Sequence, residues 1–185
     1  MSIELRGLGR DDVPAWSRLF TAVEAVDDTG EHYDEGDLDE ELTNPDVEIG
    51  RDVLGAYDGP ELVGYFLVYA RSAAGSFAKI HVQGSVRPDR RGEGIGSLLV
   101  ERMLARAREA HQQKHPGLPA KVMLTGLADN TEQAALVGRF GLVPESWNFG
   151  MRVDLATVSG EAPRLPAGFR VARRFVDYVL DLPAR

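Results

Sequence analysis

The sequence predicts a mixed α/β domain, an α+β arrangement in which a mostly antiparallel sheet of six to seven strands is flanked by about four helices. Strand-type runs at Val53–Tyr57, Leu62–Arg71 and Phe77–Val86 follow one another with only turn-like residues between them, as antiparallel neighbours do. One long run at helical spacing, Leu98 to about His111, then separates them from a buried-type strand at Lys121–Leu127, which reads as a single helical crossover. With 43% hydrophobic residues in 185, the chain can bury one real core, whereas two complete domains would be cramped.

Ile3-Glu4-Leu5-Arg6 alternates as a short strand should. Asp11 or Asp12 can cap the next helix, with Pro14 in its first turn and Trp16, Leu19, Phe20 and Val23 at helical spacing. A second helix carries Leu38 and Leu42 and ends at Asn44-Pro45. Asp58-Gly59-Pro60-Glu61 has hairpin chemistry. After the crossover, Thr131–Phe140 reads as a short helix and Phe149–Leu155 as a strand, closing a domain over residues 1–155. Residues 156–168 are linker-like, with Gly160, Pro163, Pro166 and Gly168. Residues 169–185 form a tail: a strand at Phe169–Arg173, then a short amphipathic helical piece at Phe175–Leu182. Too short for a domain, this tail must dock on the first domain, pair with a partner chain or stay loose.

A net charge of −8, from 29 acidic and 21 basic residues, argues against a general nucleic-acid or anionic-membrane binder. The absence of cysteine excludes disulfides, thiolate metal sites and cysteine nucleophiles, and no metal site is expected. Met1–Arg10 is polar, and no window approaches the roughly 18 apolar residues of a membrane span, so a cytoplasmic protein is the default. The charge is uneven: Glu24 to Glu48 holds twelve carboxylates and no Lys or Arg, leaving 17 acidic and 21 basic residues elsewhere. The molecule reads as a mildly basic body carrying one acidic segment.

Between a strand and the long helix lies Val86-Arg87-Pro88-Asp89-Arg90-Arg91-Gly92-Glu93-Gly94-Ile95-Gly96-Ser97. Alternating glycines let the backbone turn tightly and present successive N–H groups, and the helix adds its positive N-terminal end. This is a pyrophosphate cradle, with Arg87, Arg90 and Arg91 supplying cations beside it. The bland alternative is a glycine turn with solvated arginines. The P-loop pattern is absent, and a position after antiparallel-type strands disfavours a Rossmann fold.

The whole string resembles motif A of the GNAT superfamily of acyl-CoA-dependent N-acyltransferases: Arg91-x-x-Gly94-x-Gly96, preceded by Val86-Arg87-Pro88. Asn130 after the next strand and Phe140-Gly141-Leu142 at the end of the short helix extend the likeness over about residues 3 to 155. More narrowly, Glu31-His32-Tyr33, Met151-Arg152-Val153-Asp154-Leu155 and Leu165-Pro166-Ala167-Gly168-Phe169-Arg170-Val171 resemble the N-terminal half of actinobacterial tandem proteins of the mycothiol synthase-like type. In such proteins the last stretch opens a second acetyltransferase repeat.

The resemblance implies a GNAT fold and acetyl-CoA as cosubstrate, its pyrophosphate on the amides of Arg91, Gly92, Glu93, Gly94, Ile95, Gly96 and Ser97. The pantetheine would follow the strand ending at Val86, with Asn130 beside it. The thioester would face a splayed gap between that strand and Lys121–Leu127, where a small-molecule amine attacks directly and a backbone N–H near Val82 to Gly84 stabilises the oxyanion. Because an alkylamine has a pKa near 10, a base must take a proton. Glu24, Asp28, His32 and His81 are the candidates, and Glu24, Asp28, His32 and Tyr33 fall in the region that walls the acceptor. The general acid of many family members is a Tyr seven residues after the Asn, and that position is Val137. Either Tyr33 serves instead, or the thiolate leaves unassisted, or the domain is a half-enzyme that binds acetyl-CoA without catalysing. The acidic segment predicts a cationic acceptor, the alternative being a solvated helical face, and the Phe169–Arg173 strand offers an edge for a homodimer.

Overall fold

The stretch Val63–Ala70 contains no charged residue, and in the computed structural model, which describes residues 2–70, 76–152 and 170–184, it lies in a strand buried on both faces. That strand, β3 (Glu61–Ala70), is near the middle of a seven-stranded sheet. The others are β1 (Ile3–Gly7), β2 (Val53–Asp58), β4 (Ala78–Val86), β5 (Ala120–Leu127), β6 (Val143–Arg152) and β7 (Arg170–Leu182), in the spatial order β1-β2-β3-β4-β5-β7-β6. Only β4 and β5 run parallel, and helix α3 (Ile95–Lys114) crosses between them.

Helices α1 (Val13–Asp27) and α2 (Glu35–Thr43) cover one face, where Trp16, Leu19, Leu38 and Leu42 pack on Tyr57, Tyr65 and Leu67. On the opposite face α3 and α4 (Thr131–Arg139) pack Leu99, Met103, Ala107 and Val137 against Phe66, Val68, Ile80 and Val122. Polar anchors fix these layers. Asp34 accepts from the Asp37 amide at 2.9 Å and Asp37 from the Asp34 amide at 2.9 Å, a reciprocal cap that starts α2 inside the acidic segment. Asp12 occupies the N-cap position of α1, but its carboxylate turns back to the Gly9 amide, Arg6 and the Tyr57 hydroxyl. Arg106 of α3, 1% exposed, donates to Asp52 at 2.7 Å and ties the crossover helix to the loop entering β2.

Three sequence expectations change. The tail is one continuous strand, not a strand followed by a helix, because Val176, Tyr178, Leu180 and Leu182 alternate onto the α3/α4 face while Asp177 and Asp181 point away. From Phe175 to Leu182 it lies inside the sheet, hydrogen-bonded to β5 on one side and β6 on the other, whereas Arg170–Arg173, within the stretch expected to offer an edge, pairs with β6 alone among the described residues. Strand β6 starts at Val143, earlier than expected, since an edge strand exposed on both faces carries little apolar alternation. Helix α3 continues to Lys114, whose ammonium caps the Ala70 and Asp46 carbonyls at 3.0 and 3.1 Å. The expected linker at 156–168, strand residues 153–155 and Phe169 lie outside the described residues.

The register of β4 positions the functional site. Its pairing with β3 continues to Val86, whereas its pairing with β5 ends at Val82↔Leu124. From Gln83 onward β4 turns one edge toward a gap.

Candidate functional site

The loop after β4 behaves as its glycines require. Gly92 and Gly94 sit at φ +80° and +87°, left-handed conformations that a side chain would strain, and Gly94 is the N-cap of α3. A Cβ on either would meet nothing within 4 Å, so the space over the loop is open. The first helical bond runs from the Leu98 amide to the Gly94 carbonyl at 3.2 Å, leaving the preceding N–H groups of the turn directed out of the helix. A cavity of about 570 Å³ lies there, walled by Val86, Arg91, Gly92, Gly94, Gly96, Ser97 and Asn130. These are the expected cofactor residues apart from two: Glu93 pairs with Arg90, and Ile95, 2% exposed, sits in the core and offers only its backbone.

The expected cations are not available as read. Arg87 is paired with Glu61 and Asp89, and Arg90 with Asp58 and Glu93. Arg91 makes a bidentate pair with Asp27 of α1 at 2.8 Å through both nitrogens. Each guanidinium already has a carboxylate, so the anion-attracting potential of the cradle comes from backbone dipoles. Arg139, at the end of α4, donates to the Ser97 hydroxyl at 3.2 Å and lines the same cavity. It has no carboxylate partner among the described residues, and sequence reading passed over it.

A second cavity of about 430 Å³ opens on the α1 side of the sheet, walled by Glu24, Asp27, Glu31, His81, Thr125 and Phe175 among others. The two cavities share Asp27, Tyr65, Gly84, Ser85, Leu124, Asn130 and Gln133, a ring at the gap where β4 leaves β5. Asn130 caps α4, its side-chain oxygen accepting from the Gln133 amide at 2.9 Å.

Of the candidate bases, His81 lines the second cavity. Glu24 also lines it, but its carboxylate accepts from the Thr29 amide and hydroxyl and from the Gly30 amide, clamping the loop after α1. Asp28 forms an ion pair with Arg173 of β7, and neither it nor His32 walls either cavity. The neighbouring Glu31 does wall the second cavity, and partial burial together with the Glu24 charge pushes its carboxyl up.

Tyr33 packs on Phe20, 4.8 Å between ring centroids, and walls neither cavity. Burial and the charges of Glu31, Glu41 and Asp37 push its hydroxyl up, which makes it a poorer acid. Val137 is 1% exposed in the core. The ring holds two hydroxyls, those of Tyr65 and Ser85; burial, assisted by the Glu31 charge, keeps the Tyr65 hydroxyl protonated, although a hydrogen bond with Ser85 pulls the other way.

Strand β7 adds one more group to this face. Asp177 accepts from Thr125 at 2.7 Å, Ser146 at 2.8 Å and Asn148 at 2.7 Å. Burial alone would raise its carboxyl, yet those three bonds and the nearby His81 charge hold it below the ordinary value. Among the described residues no cluster of three or more His, Asp or Glu is placed to hold a metal, and no helix is long and apolar enough to cross a membrane.

Comparison with known proteins follows the same lines. Residues 15–142 match the model of the acetyltransferase (GNAT) family. Among solved structures, the fold is similar to that of yncA from Salmonella typhimurium, determined with its cofactor acetyl-CoA, with a TM-score of 0.70 and 16% identity over 100% of this chain and 96% of that one. A GCN5-related N-acetyltransferase from Sphaerobacter thermophilus gives a TM-score of 0.71 and 21% identity over 90% of this chain and 51% of that one. A GNAT superfamily phosphinothricin acetyltransferase from Sinorhizobium meliloti, in complex with acetyl-CoA, gives 0.69 and 15% over 98% and 89%. At such identities the likeness is one of fold. No curated protein matches the chain.

Proposed function

We propose that this chain, which belongs to the acetyltransferase (GNAT) family, moves an acetyl group from acetyl-CoA to the primary amine of a cationic small molecule by direct attack. The observation that carries this reading is the ring shared by two cavities, one built on backbone amides and the other on carboxylates and an imidazole. Acetyl-CoA, the cosubstrate, supplies an activated acyl carbon with a thiolate leaving group.

The residues divide the work by position. The turn at Gly92–Ser97 and the N-terminus of α3 hold phosphate, with Arg139 as the side-chain cation nearest to them. The open edge of β4 from Gln83 to Val86 offers backbone hydrogen bonds to an extended amide chain and an N–H to a developing oxyanion. Glu31 accepts the proton of the attacking amine, directly or through His81 and water, and its raised pKa suits it to that task better than an ordinary glutamate. Tyr65 supplies a protonated hydroxyl at the ring, the role expected of Tyr33, and steadies negative charge where the leaving group departs.

The test is thiol release from acetyl-CoA with cadaverine, spermidine, tyramine and an alanine-initiated peptide as acceptors. Amine-dependent release that weakens with added salt is the expected result. Tyr65→Phe should lower kcat about tenfold, the order of one hydrogen bond to a charged group. Acetyl-CoA binding without release on any of the amines would overturn the reading.

A further inference from the structure

Gln133 is the residue of the ring with a buried side-chain acceptor, its carboxamide oxygen, that has no hydrogen-bond partner among the described residues. It occupies the third position of α4, and the pattern Asn130-x-x-Gln133 is that of a capping box, in which the glutamine side chain reaches back to the cap amide. Only half of that box forms. The Asn130 amide is already given to the Leu127 carbonyl at 3.1 Å, and the Gln133 carboxamide swings across β5 instead. It lies over Gly126, where a Cβ would come within 1.8 Å of the Gln133 oxygen, so the absence of a side chain at residue 126 is what gives the amide its place. That oxygen is buried and has no hydrogen-bond partner. Buried acceptors are normally satisfied, and an orphan beside a ligand cavity calls for a donor carried by the ligand. The terminal amide torsion is soft, so the oxygen can turn toward the ring that Gln133 helps to wall.

We infer that the Gln133 carboxamide oxygen receives one N–H of the attacking amine and selects primary over secondary amines. This rests on the amine-acetylation reading above. A neutral primary amine carries two N–H bonds: one points to the base, the other to Gln133, and the lone pair is left for the acyl carbon. As the nitrogen lone pair forms the C–N bond, the C–S pair departs on sulfur and the base takes one proton. The second N–H stays on the amide product and remains bonded to Gln133. An N-methyl amine has one N–H and must forgo one of the two partners.

The experiment compares each primary amine of the panel with its N-methyl counterpart for wild type, Gln133→Leu and Gly126→Ala, alongside the affinity for acetyl-CoA measured by thermal shift. Wild type should prefer the primary amine by about tenfold or more, the size of one hydrogen bond. Gln133→Leu should bring that ratio to within about threefold and leave acetyl-CoA affinity unchanged, because only the amine loses a partner. Gly126→Ala, which displaces the amide without removing it, should lower the ratio in the same direction. Gln133→Leu should melt no lower than wild type, since it removes an unsatisfied acceptor. A ratio unmoved in both variants overturns the inference, as does weakened acetyl-CoA binding with the ratio intact, which would place the amide on the cofactor. If wild type acetylates none of the amines, the functional reading fails first, before any variant is measured.

Discussion

The two cavities meet at one ring but are built by opposite means. The cofactor side is made of backbone: left-handed glycines, the first turn of α3 and the edge of β4, while Arg87, Arg90 and Arg91 are each neutralised by a carboxylate. The other side, the acceptor side in the proposed reading, presents side chains: Glu31 and His81, with Tyr65 and Gln133 on the ring that both cavities share. A backbone site tolerates changes that leave its conformation alone, and a side-chain site depends on single functional groups. Neutralised arginines do another service, since the Arg91–Asp27 pair fastens the end of α1 to the cradle and fixes the distance between the two cavities.

The largest break in this comparison comes from Gly94→Val. A β-branched residue at φ +87° forces the turn to reorganise, and the acetyl-CoA-induced stabilisation, about 2.7 kcal/mol at a hundredfold excess over Kd, should vanish in a thermal melt together with all turnover. Next is Glu31→Gln, expected to lower kcat/KM about 10²- to 10⁴-fold while the acetyl-CoA thermal shift is preserved. The pH profile carries the sign. In the proposed role Glu31 works as a carboxylate, so activity should be lost as pH falls through its raised pKa, with an acid limb above that of an ordinary glutamate. In Glu31→Gln that limb disappears, and if it persists there but disappears in His81→Ala, His81 is the base. A smaller effect, about three- to tenfold in acetyl-CoA affinity and diminishing with salt, is expected for Arg139→Ala by titration. Smallest of all, Arg90→Gln should leave that affinity within about threefold, because its charge is already balanced by Asp58 and Glu93.

Local chemistry made much of this legible in the sequence. The Asp58–Glu61 hairpin, the end of α2 before Pro45 and the glycine cradle all follow from residues acting on their immediate neighbours. What escaped depends on contacts between distant segments. The guanidinium of Arg91 was legible as a cation, but nothing in its surroundings announces Asp27, 64 residues away. Glu31 was one carboxylate among twelve, and only the clamping of Glu24 and the diversion of Asp28 to Arg173 single it out. Tyr65 belongs to an apolar run that reads as core, and its second role appears only because β4 parts from β5 beside it. In the tail, the period-two alternation of Val176, Tyr178, Leu180 and Leu182 was present in plain view. A reading that treated the tail as an appendage gave it no sheet to face.

That strand also dictates an order of assembly. β7 is made after β6 yet stands between β6 and β5, so β6 cannot join the sheet, and β5 is paired on its β4 side alone, until residues 170–182 have been synthesised. Strands β2 to β4 can condense early through antiparallel contacts close in sequence, but β1 must wait for β2, and the far edge of β5 for β7, each a partner about fifty residues downstream. During that interval the hydrogen-bonding groups of β5 are exposed to other chains. The last residues to be made are thus the ones that close the sheet.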